Sequence, residues 1–209
     1  MPRKVPIQVL PGCGGRISVP ELRRIARHVL DAEGVASNVE VEIVLADSDT
    51  VRKLSRLYRG KDEATDVLSF ATDTYSDWPD PSPDSVGATL AVAQDAPSTG
   101  DASTLGPPSP ISERGLGGEV EAPTFIDAPD ATPSLGEIVI CIPYAETTVA
   151  ENPATRTVRG QIAHLLTHGL LHLLGYDHEA SEREAQRMQQ REDALLAVLG
   201  YEGAYEHGH

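Results

Sequence analysis

Four stretches of the chain have the apolar pattern of β-strands. Residues 39–45 alternate apolar with acidic side chains, which is typical of a strand buried on one face. Residues 137–142 are nearly continuous in apolar character, as strands buried on both faces are. Residues 7–10 and 67–70 are two shorter candidates. The pattern predicts a mixed sheet of about four strands.

Four other stretches are predicted to form helices. Between residues 19 and 33 the apolar side chains recur every three or four positions, as on the buried face of a helix. Helices are also predicted from 47 to about 58, from about 155 to 174 and from 181 to 199. Residues that commonly cap or end helices flank them: Ser18, Asp47 and Ser181 at the starts, and Gly34, Gly60, Gly175 and Gly200 at the ends. We expect four to five helices packed on the sheet.

Residues 72–134 break this pattern. They hold ten of the sixteen prolines and no sustained apolar periodicity, and their eight Asp and three Glu are accompanied by one basic residue, Arg114. Repeated proline removes backbone donors, and a high net charge opposes collapse. We predict a disordered acidic insertion within a single domain formed by residues 1–71 and 135–209. The functional alternative is a binding arm or an autoinhibitory flap that mimics nucleic acid.

The acidity of the chain is concentrated in that insertion. The 209 residues carry a formal net charge of −15, from 17 basic and 32 acidic side chains. Such a charge excludes a basic nucleic-acid footprint as an average property of the chain. The insertion accounts for −10, so the other 146 residues, with 16 basic and 21 acidic side chains, carry only −5. A local basic cleft is compatible with that balance.

Cysteine usage and hydropathy indicate the compartment. Cys13 and Cys141 lie 128 positions apart, and two cysteines make no disulfide framework, so a reducing environment is indicated. The N-terminus lacks the apolar region of a signal peptide. No apolar run approaches the roughly 18 residues of a membrane span. We expect a cytoplasmic protein that does not associate with membranes.

Three histidines near the end of the long predicted helix have the spacing of metal ligands. His168 and His172 are four residues apart, which places both imidazoles on one helix face. Gly175 allows the chain to reverse after the helix and bring His178 back as a third ligand. Three imidazoles with an open fourth position form a catalytic zinc site. His164, one turn earlier, is an alternative ligand, a base or a supporting side chain, and we favour support or packing.

The spacing also matches the zinc-protease pattern His-Glu-x-x-His-x-x-Gly-x-x-His, except at one position. Gly169 stands where those enzymes carry the glutamate that acts as general base. The metal geometry is therefore predicted without the protease machinery. This spacing leaves two hypotheses open besides a different catalytic zinc site: a metalloprotease, and a non-catalytic protein that zinc stabilises, whose closed site would need a fourth protein ligand.

Three blocks of sequence resemble the YbeY family of zinc-dependent endoribonucleases, also called rRNA maturation factors. Residues 168–178, His-Gly-Leu-Leu-His-Leu-Leu-Gly-Tyr-Asp-His, are similar to the zinc signature of that family throughout. Residues 58–70 and 135–141 are similar to two further blocks, and all three come in the order of the family. The acidic insertion departs from the pattern, since only a short connection is expected there.

The resemblance implies a single-domain α+β fold in which His168, His172 and His178 hold one zinc ion. It implies an enzyme that cleaves single-stranded RNA and acts in rRNA 3′-end processing and ribosome quality control. The non-catalytic alternative is then a zinc-stabilised ribosome-assembly factor. The expected partners are rRNA and components of the small ribosomal subunit, with no DNA and no membrane.

Two more residues are candidates for the site. By motif match, Arg59 carries over as the residue expected to act on phosphate, which its planar fork of donors suits. The structural alternative for Arg59 is a surface salt bridge to Asp62 or Glu63. Asp177, adjacent to a predicted ligand, is expected either to orient an imidazole or to cap a turn.

Overall fold

The computed structural model of the protein describes residues 3–72, 132–151, 153 and 156–205. Within those ranges the chain forms four strands and five helices. In chain order they are β1 (Ile7–Val9), α1 (Val19–Ala32), β2 (Glu40–Ala46), α2 (Ser48–Arg59), β3 (Val67–Ala71), β4 (Ser134–Cys141), α3 (Ile142–Glu151), α4 (Val158–Leu173) and α5 (Glu182–Val198). Among the described residues, no helix combines the length and the apolar character needed to cross a membrane.

The strands form one mixed sheet in the order β1-β2-β4-β3. β1 and β4 both run parallel to β2, whereas β3 lies antiparallel to β4 at one edge. The predicted α+β fold with a small mixed sheet is therefore confirmed. The predicted N-caps are also confirmed, because the side chains of Ser18, Asp47 and Ser181 each accept a hydrogen bond from the backbone N–H three residues later.

Alternate residues of the central strands face two separate cores. Ile43 of β2 and Ile138 of β4 point into the larger core, to which α1, α3, α4 and α5 contribute. Val44 and Val139, one position later, point into a smaller core that Val51 of α2 covers. The period of two along each strand produces this division. Helix α2 therefore lies on the opposite face of the sheet from α4, which carries the histidines.

One part of the prediction was wrong. The apolar run 137–142 was assigned to a strand, but the strand spans Ser134–Cys141 and Ile142 begins helix α3, which was not predicted. The physical reason is Pro143, which cannot donate to a sheet but fits the first turn of a helix, where backbone N–H groups have no partner. Helix α4 begins at Val158, with Thr157 as its N-cap, a few residues later than predicted.

The two strands that flank the predicted insertion end next to each other. Ala71 pairs with Gly136 across the antiparallel ladder, and the Thr72 N–H donates to the Leu135 carbonyl at 3.4 Å. The predicted insertion itself lies almost wholly outside the described residues. The geometry of its ends is that of a β-hairpin, which a short turn is able to close.

Candidate metal centre

Helix α4 has two sides of different chemistry. Leu166 and Leu170 are completely buried in the larger core, whereas His168 and His172 keep part of their surface exposed. The helical repeat of 3.6 residues produces this segregation, because residues four apart fall on one side. The histidines therefore stand at the rim of the core, on a helix held rigidly by its apolar side.

Gly169 lies where α4 crosses the sheet. A Cβ atom at this position would come within 3.0 Å of Ile138 Cγ2 and of Ser69 Oγ. A glutamate side chain has no room there and would be directed at the strands rather than at the histidines. The absence of the protease glutamate is thus built into the packing of α4 on β3 and β4, which argues against a metalloprotease.

A Schellman turn ends α4 and returns the chain to the histidines. The Gly175 N–H donates to the His172 carbonyl and the Tyr176 N–H donates to the Leu171 carbonyl, both at 3.0 Å. Gly175 has a φ of 84°, in the left-handed region that this motif requires and that glycine adopts without strain. The reversal predicted at Gly175 is present, and it places His178 beside the helix.

The structure brings the three predicted ligands together. The ring centroids of His168 and His172 are 4.5 Å apart, and the His178 ring lies 5.1 and 5.0 Å from them. One ring nitrogen from each histidine lies within 4.8 Å of the others. The Nε2 atoms of His168 and His172 are 3.0 Å apart, close to the about 3.3 Å expected between tetrahedral ligands whose bonds to zinc are ~2.0–2.1 Å.

The protonation chemistry of this cluster suits a metal ion. Burial, followed by the neighbouring rings of His168 and His178, lowers the pKa of His172 to about 4. His172 is therefore neutral at physiological pH and has a lone pair to offer. Three imidazoles are a donor set that zinc and other late transition metals accept, so the residues present fit a bound metal ion.

Glu192 of α5 is the site residue that sequence reasoning missed. Its Oε1 lies 2.7 Å from Nδ1 of His168, and its side chain is only 3 % exposed. A carboxylate that accepts the Nδ1 proton leaves Nε2 as the ligand atom and fixes the orientation of the ring. The detectable signal was a lone acidic residue on the buried side of α5, between Met188 and Leu195.

His164 and Asp177 lie beside the three predicted ligands, and the ligand atoms of His164, His168 and Glu192 also lie within 4.8 Å of one another. His164 is buried, stacks on the Tyr205 ring with centroids 4.8 Å apart, and directs Nε2 toward Glu192 Oε2 at 3.4 Å. Its ring thus lies against the carboxylate that supports His168. Asp177 Oδ1 accepts the Glu179 N–H at 2.8 Å, which is the turn-capping arrangement.

Arg59 is the last residue of α2. Asp62, one of the two carboxylates proposed as its structural partner, is bound instead by Arg52, with Nε–Oδ1 and Nη2–Oδ2 distances of 2.9 Å each. In the described part of the chain, Arg59 is not among the residues that hydrogen-bond or stack with the three histidines. The structure leaves its guanidinium without the predicted salt bridge to Asp62.

Comparisons with known proteins identify the family of the chain. The family model described as Endoribonuclease YbeY matches residues 15–200. The chain belongs to the YbeY family. Proteins named Endoribonuclease YbeY from Roseiflexus castenholzii, Acinetobacter baylyi and Magnetococcus marinus are 29, 31 and 33 % identical to it. These alignments cover 94, 88 and 80 % of this chain, and 92, 85 and 83 % of the relatives.

A solved structure also aligns with the chain. It is the solution structure of TM1509 from Thermotoga maritima, with a TM-score of 0.47 and 19 % identity, covering 94 % of this chain and 92 % of that one. The family model and the named relatives confirm the predicted resemblance to the YbeY family.

Proposed function

We propose that this protein is a zinc-dependent endoribonuclease that cleaves single-stranded RNA during rRNA maturation. Its YbeY relatives are named as endoribonucleases, and membership of that family supports hydrolysis of RNA phosphodiester bonds in rRNA processing. The observation that carries the proposal is the convergence of His168, His172 and His178 at the partly exposed end of α4. An arrangement of three ligands leaves a position for substrate, as catalytic sites do.

His168, His172 and His178 are proposed to hold the zinc ion. When bound, zinc supplies Lewis acidity, which polarises a phosphoryl oxygen and lowers the pKa of water. Glu192 holds the proton at Nδ1 of His168 and keeps the ring in one tautomer and one orientation. The buried surroundings of His172 keep that ring uncharged, so it does not repel a cation.

Arg59 is proposed to bind the phosphate of the RNA. Negative charge grows on the phosphoryl oxygens during cleavage, and a guanidinium that grips two of them stabilises that charge. The engagement of Asp62 by Arg52 supports this role, because it removes one competing partner. The connection from Gly60 to β3 leads from Arg59 to the edge strand on which α4 packs.

The exposed side of α2 is proposed to guide RNA toward the site. Lys53 and Arg56 are exposed there, and Tyr58 is 58 % exposed. Basic side chains attract the phosphate backbone, and an exposed aromatic ring offers a stacking surface for an unpaired base. This helix places exposed positive charge on a chain that is acidic overall. Such a local basic surface is compatible with the composition of the chain.

The finer aspects of the function are part of the same proposal. We propose rRNA and components of the small ribosomal subunit as partners, and the cytoplasm as the place of action. We also propose that residues 72–134 are an insertion into the domain, of which residues 73–133 are dispensable for its fold. The adjacent ends of β3 and β4 support that idea, since they leave no gap for the insertion to bridge.

Metal analysis together with an RNA cleavage assay tests the function. Purified protein should contain about one zinc per chain and cut a single-stranded RNA substrate, whereas His172→Ala should lose both properties. Arg59→Ala should keep zinc but cut at least tenfold more slowly. Arg24→Ala is the matched control, because this exposed arginine of α1 makes a long ion pair of 3.9 Å with Glu21. Cleavage by His172→Ala at the wild-type rate would contradict the proposal.

A further inference from the structure

Tyr176 lies inside the metal-binding turn, between Gly175 and the ligand His178. Its backbone N–H is the one that closes the Schellman turn on Leu171, and its backbone also hydrogen-bonds to the His172 ring. Two residues of extended chain span at most about 7 Å, so a shift of Tyr176 is transmitted directly to His178. The position of Tyr176 therefore affects the positions of two predicted ligands, His172 and His178.

The side chain of Tyr176 is held by a network that links three elements. Its hydroxyl donates to Glu33 Oε2 at 3.0 Å, at the C-terminus of α1. The Glu33 side chain is only 7 % exposed, and its other oxygen accepts a hydrogen bond from Arg191 of α5. Arg191 also donates to the Ala32 carbonyl at 3.0 Å. Arg187, one turn earlier on α5, lies over the Tyr176 ring at 5.3 Å from its centroid.

The three ligands differ in how their positions are secured. His168 and His172 belong to a helix with a buried apolar side, and Glu192 additionally holds the His168 ring. His178 is exposed and lies on the turn after the helix. Its placement thus depends on whatever anchors that turn to the rest of the domain.

We propose that Tyr176 is a positioning residue for the metal centre, which it serves by anchoring the turn that carries His178 to Glu33, Arg187 and Arg191. The inference rests on the proposed metal site and assigns a role to a residue of the motif that neither binds the metal nor touches the substrate. Removing the hydroxyl frees the turn from α1 and lets His178 leave the ligand set more often. Zinc is then released faster and held less tightly.

The chain contains a matched control. Tyr201 donates to Glu21, which also accepts from Arg159 Nε at 2.6 Å, and the Arg159 guanidinium lies 5.9 Å from the centre of the Tyr201 ring. This network has the same chemistry, a tyrosine hydroxyl and an arginine on a nearly buried glutamate of α1. It lies at the other end of α1 and includes no residue of the metal-binding turn.

The test compares Tyr176→Phe with Tyr201→Phe in the full chain. Zinc affinity and zinc release are measured by competition with a chelating dye, and the geometry of the site by the visible absorption of the Co²⁺-substituted protein. Unfolding of the zinc-free proteins by urea serves as the measure of stability. We expect both variants to unfold at similarly lowered urea concentrations, while Tyr176→Phe alone releases zinc about tenfold faster and changes the Co²⁺ spectrum.

Equal zinc release from Tyr176→Phe and wild type, within twofold, would overturn the inference. Faster release from both variants would overturn it as well, since a general loss of stability would then explain the effect. Glu33→Gln provides a second route if Tyr176→Phe does not fold, because it weakens the same hydrogen bond from the other side and should also speed zinc release. Failure of wild-type protein to cleave RNA while it binds zinc would contradict the proposed function and leave this inference standing.

Discussion

The two ends of helix α1 carry nearly identical polar networks with different consequences. At the N-terminal end, Glu21 binds Tyr201 and Arg159, and at the C-terminal end Glu33 binds Tyr176 and Arg191. Both glutamate side chains are nearly buried, 11 and 7 % exposed. The first network ties α4 and the segment after α5 to α1. The second ties α1 and α5 to the turn that presents His178.

The difference lies in what each tyrosine is attached to. Tyr201 stands just beyond α5, whereas Tyr176 is two residues from a metal ligand. The same hydrogen bond therefore serves the stability of the domain at one end and, by our proposal, the geometry of a metal centre at the other. A network of this kind acquires a functional role from its place in the chain rather than from its chemistry.

The largest difference between the two ends of α1 is expected when a predicted metal ligand near the C-terminal end is removed. His172→Ala should weaken zinc binding at least a hundredfold, equivalent to about 2.7 kcal/mol, because two imidazoles remain where three converged. The melting temperature of the wild-type protein should fall when a chelator removes the zinc, because a ligand that binds only the folded state stabilises that state. His172→Ala should melt at the same temperature with and without chelator, as measured by differential scanning calorimetry.

Replacement of Glu192 tests how much zinc affinity depends on the hydrogen bond that α5 provides to His168. Glu192→Gln keeps the shape of the side chain but removes the charge that accepts the His168 proton, so zinc affinity should fall about 10–100-fold. Asp193→Asn, at the next position, is the control. Asp193 accepts from the Tyr205 hydroxyl instead, so its replacement should leave zinc affinity within twofold of wild type. A reversed order of the two effects would contradict the role of Glu192.

The pH dependence of the free energy of unfolding tests the role of Glu21, in the network at the N-terminal end of α1. Burial alone would raise the pKa of Glu21, but hydrogen bonds from Tyr201 and Arg159 outweigh it and hold the pKa below its usual 4.5. A carboxylate with a lowered pKa in the folded state contributes stability above its unfolded pKa, and loses it as the pH falls through the folded value.

Glu21→Gln should therefore destabilise the protein by about 1–2 kcal/mol at pH 7 and by less at pH 3. Urea unfolding at both pH values measures the difference. Zinc affinity at pH 7 should be unchanged, because Glu21 belongs to the network without a metal ligand. A penalty that grows toward acid pH would show that the charge of Glu21 is not what its partners stabilise.

The smallest effect is expected from removal of the predicted insertion. Replacement of residues 73–133 by Asn-Gly should close β3 and β4 into a hairpin and leave zinc affinity within twofold of wild type. Dye competition and circular dichroism measure the outcome. Loss of folded protein or of zinc would show that the insertion belongs to the domain after all.

Local features of the chain were predictable because they depend on few neighbouring residues. The four-residue spacing of His168 and His172 follows from the helical repeat, and the reversal at Gly175 follows from the conformational freedom of glycine. The caps Ser18, Asp47 and Ser181 are equally local. Helix α3 was missed where two local signals conflicted, an apolar run that favours a strand and Pro143, which ends it.

Contacts between distant positions were decided only by the tertiary structure. Glu192 is 24 residues from His168, and Glu33 is 143 residues from Tyr176, so nothing in the local pattern of either residue names its partner. How α5 lies across α4 and the end of α1 depends on the shape of the whole core, which buried side chains from six elements fill together. The sequence by itself determined which residues could bind a metal. The packing of α1 and α5 around them decided which carboxylates and which tyrosine hold those residues in place.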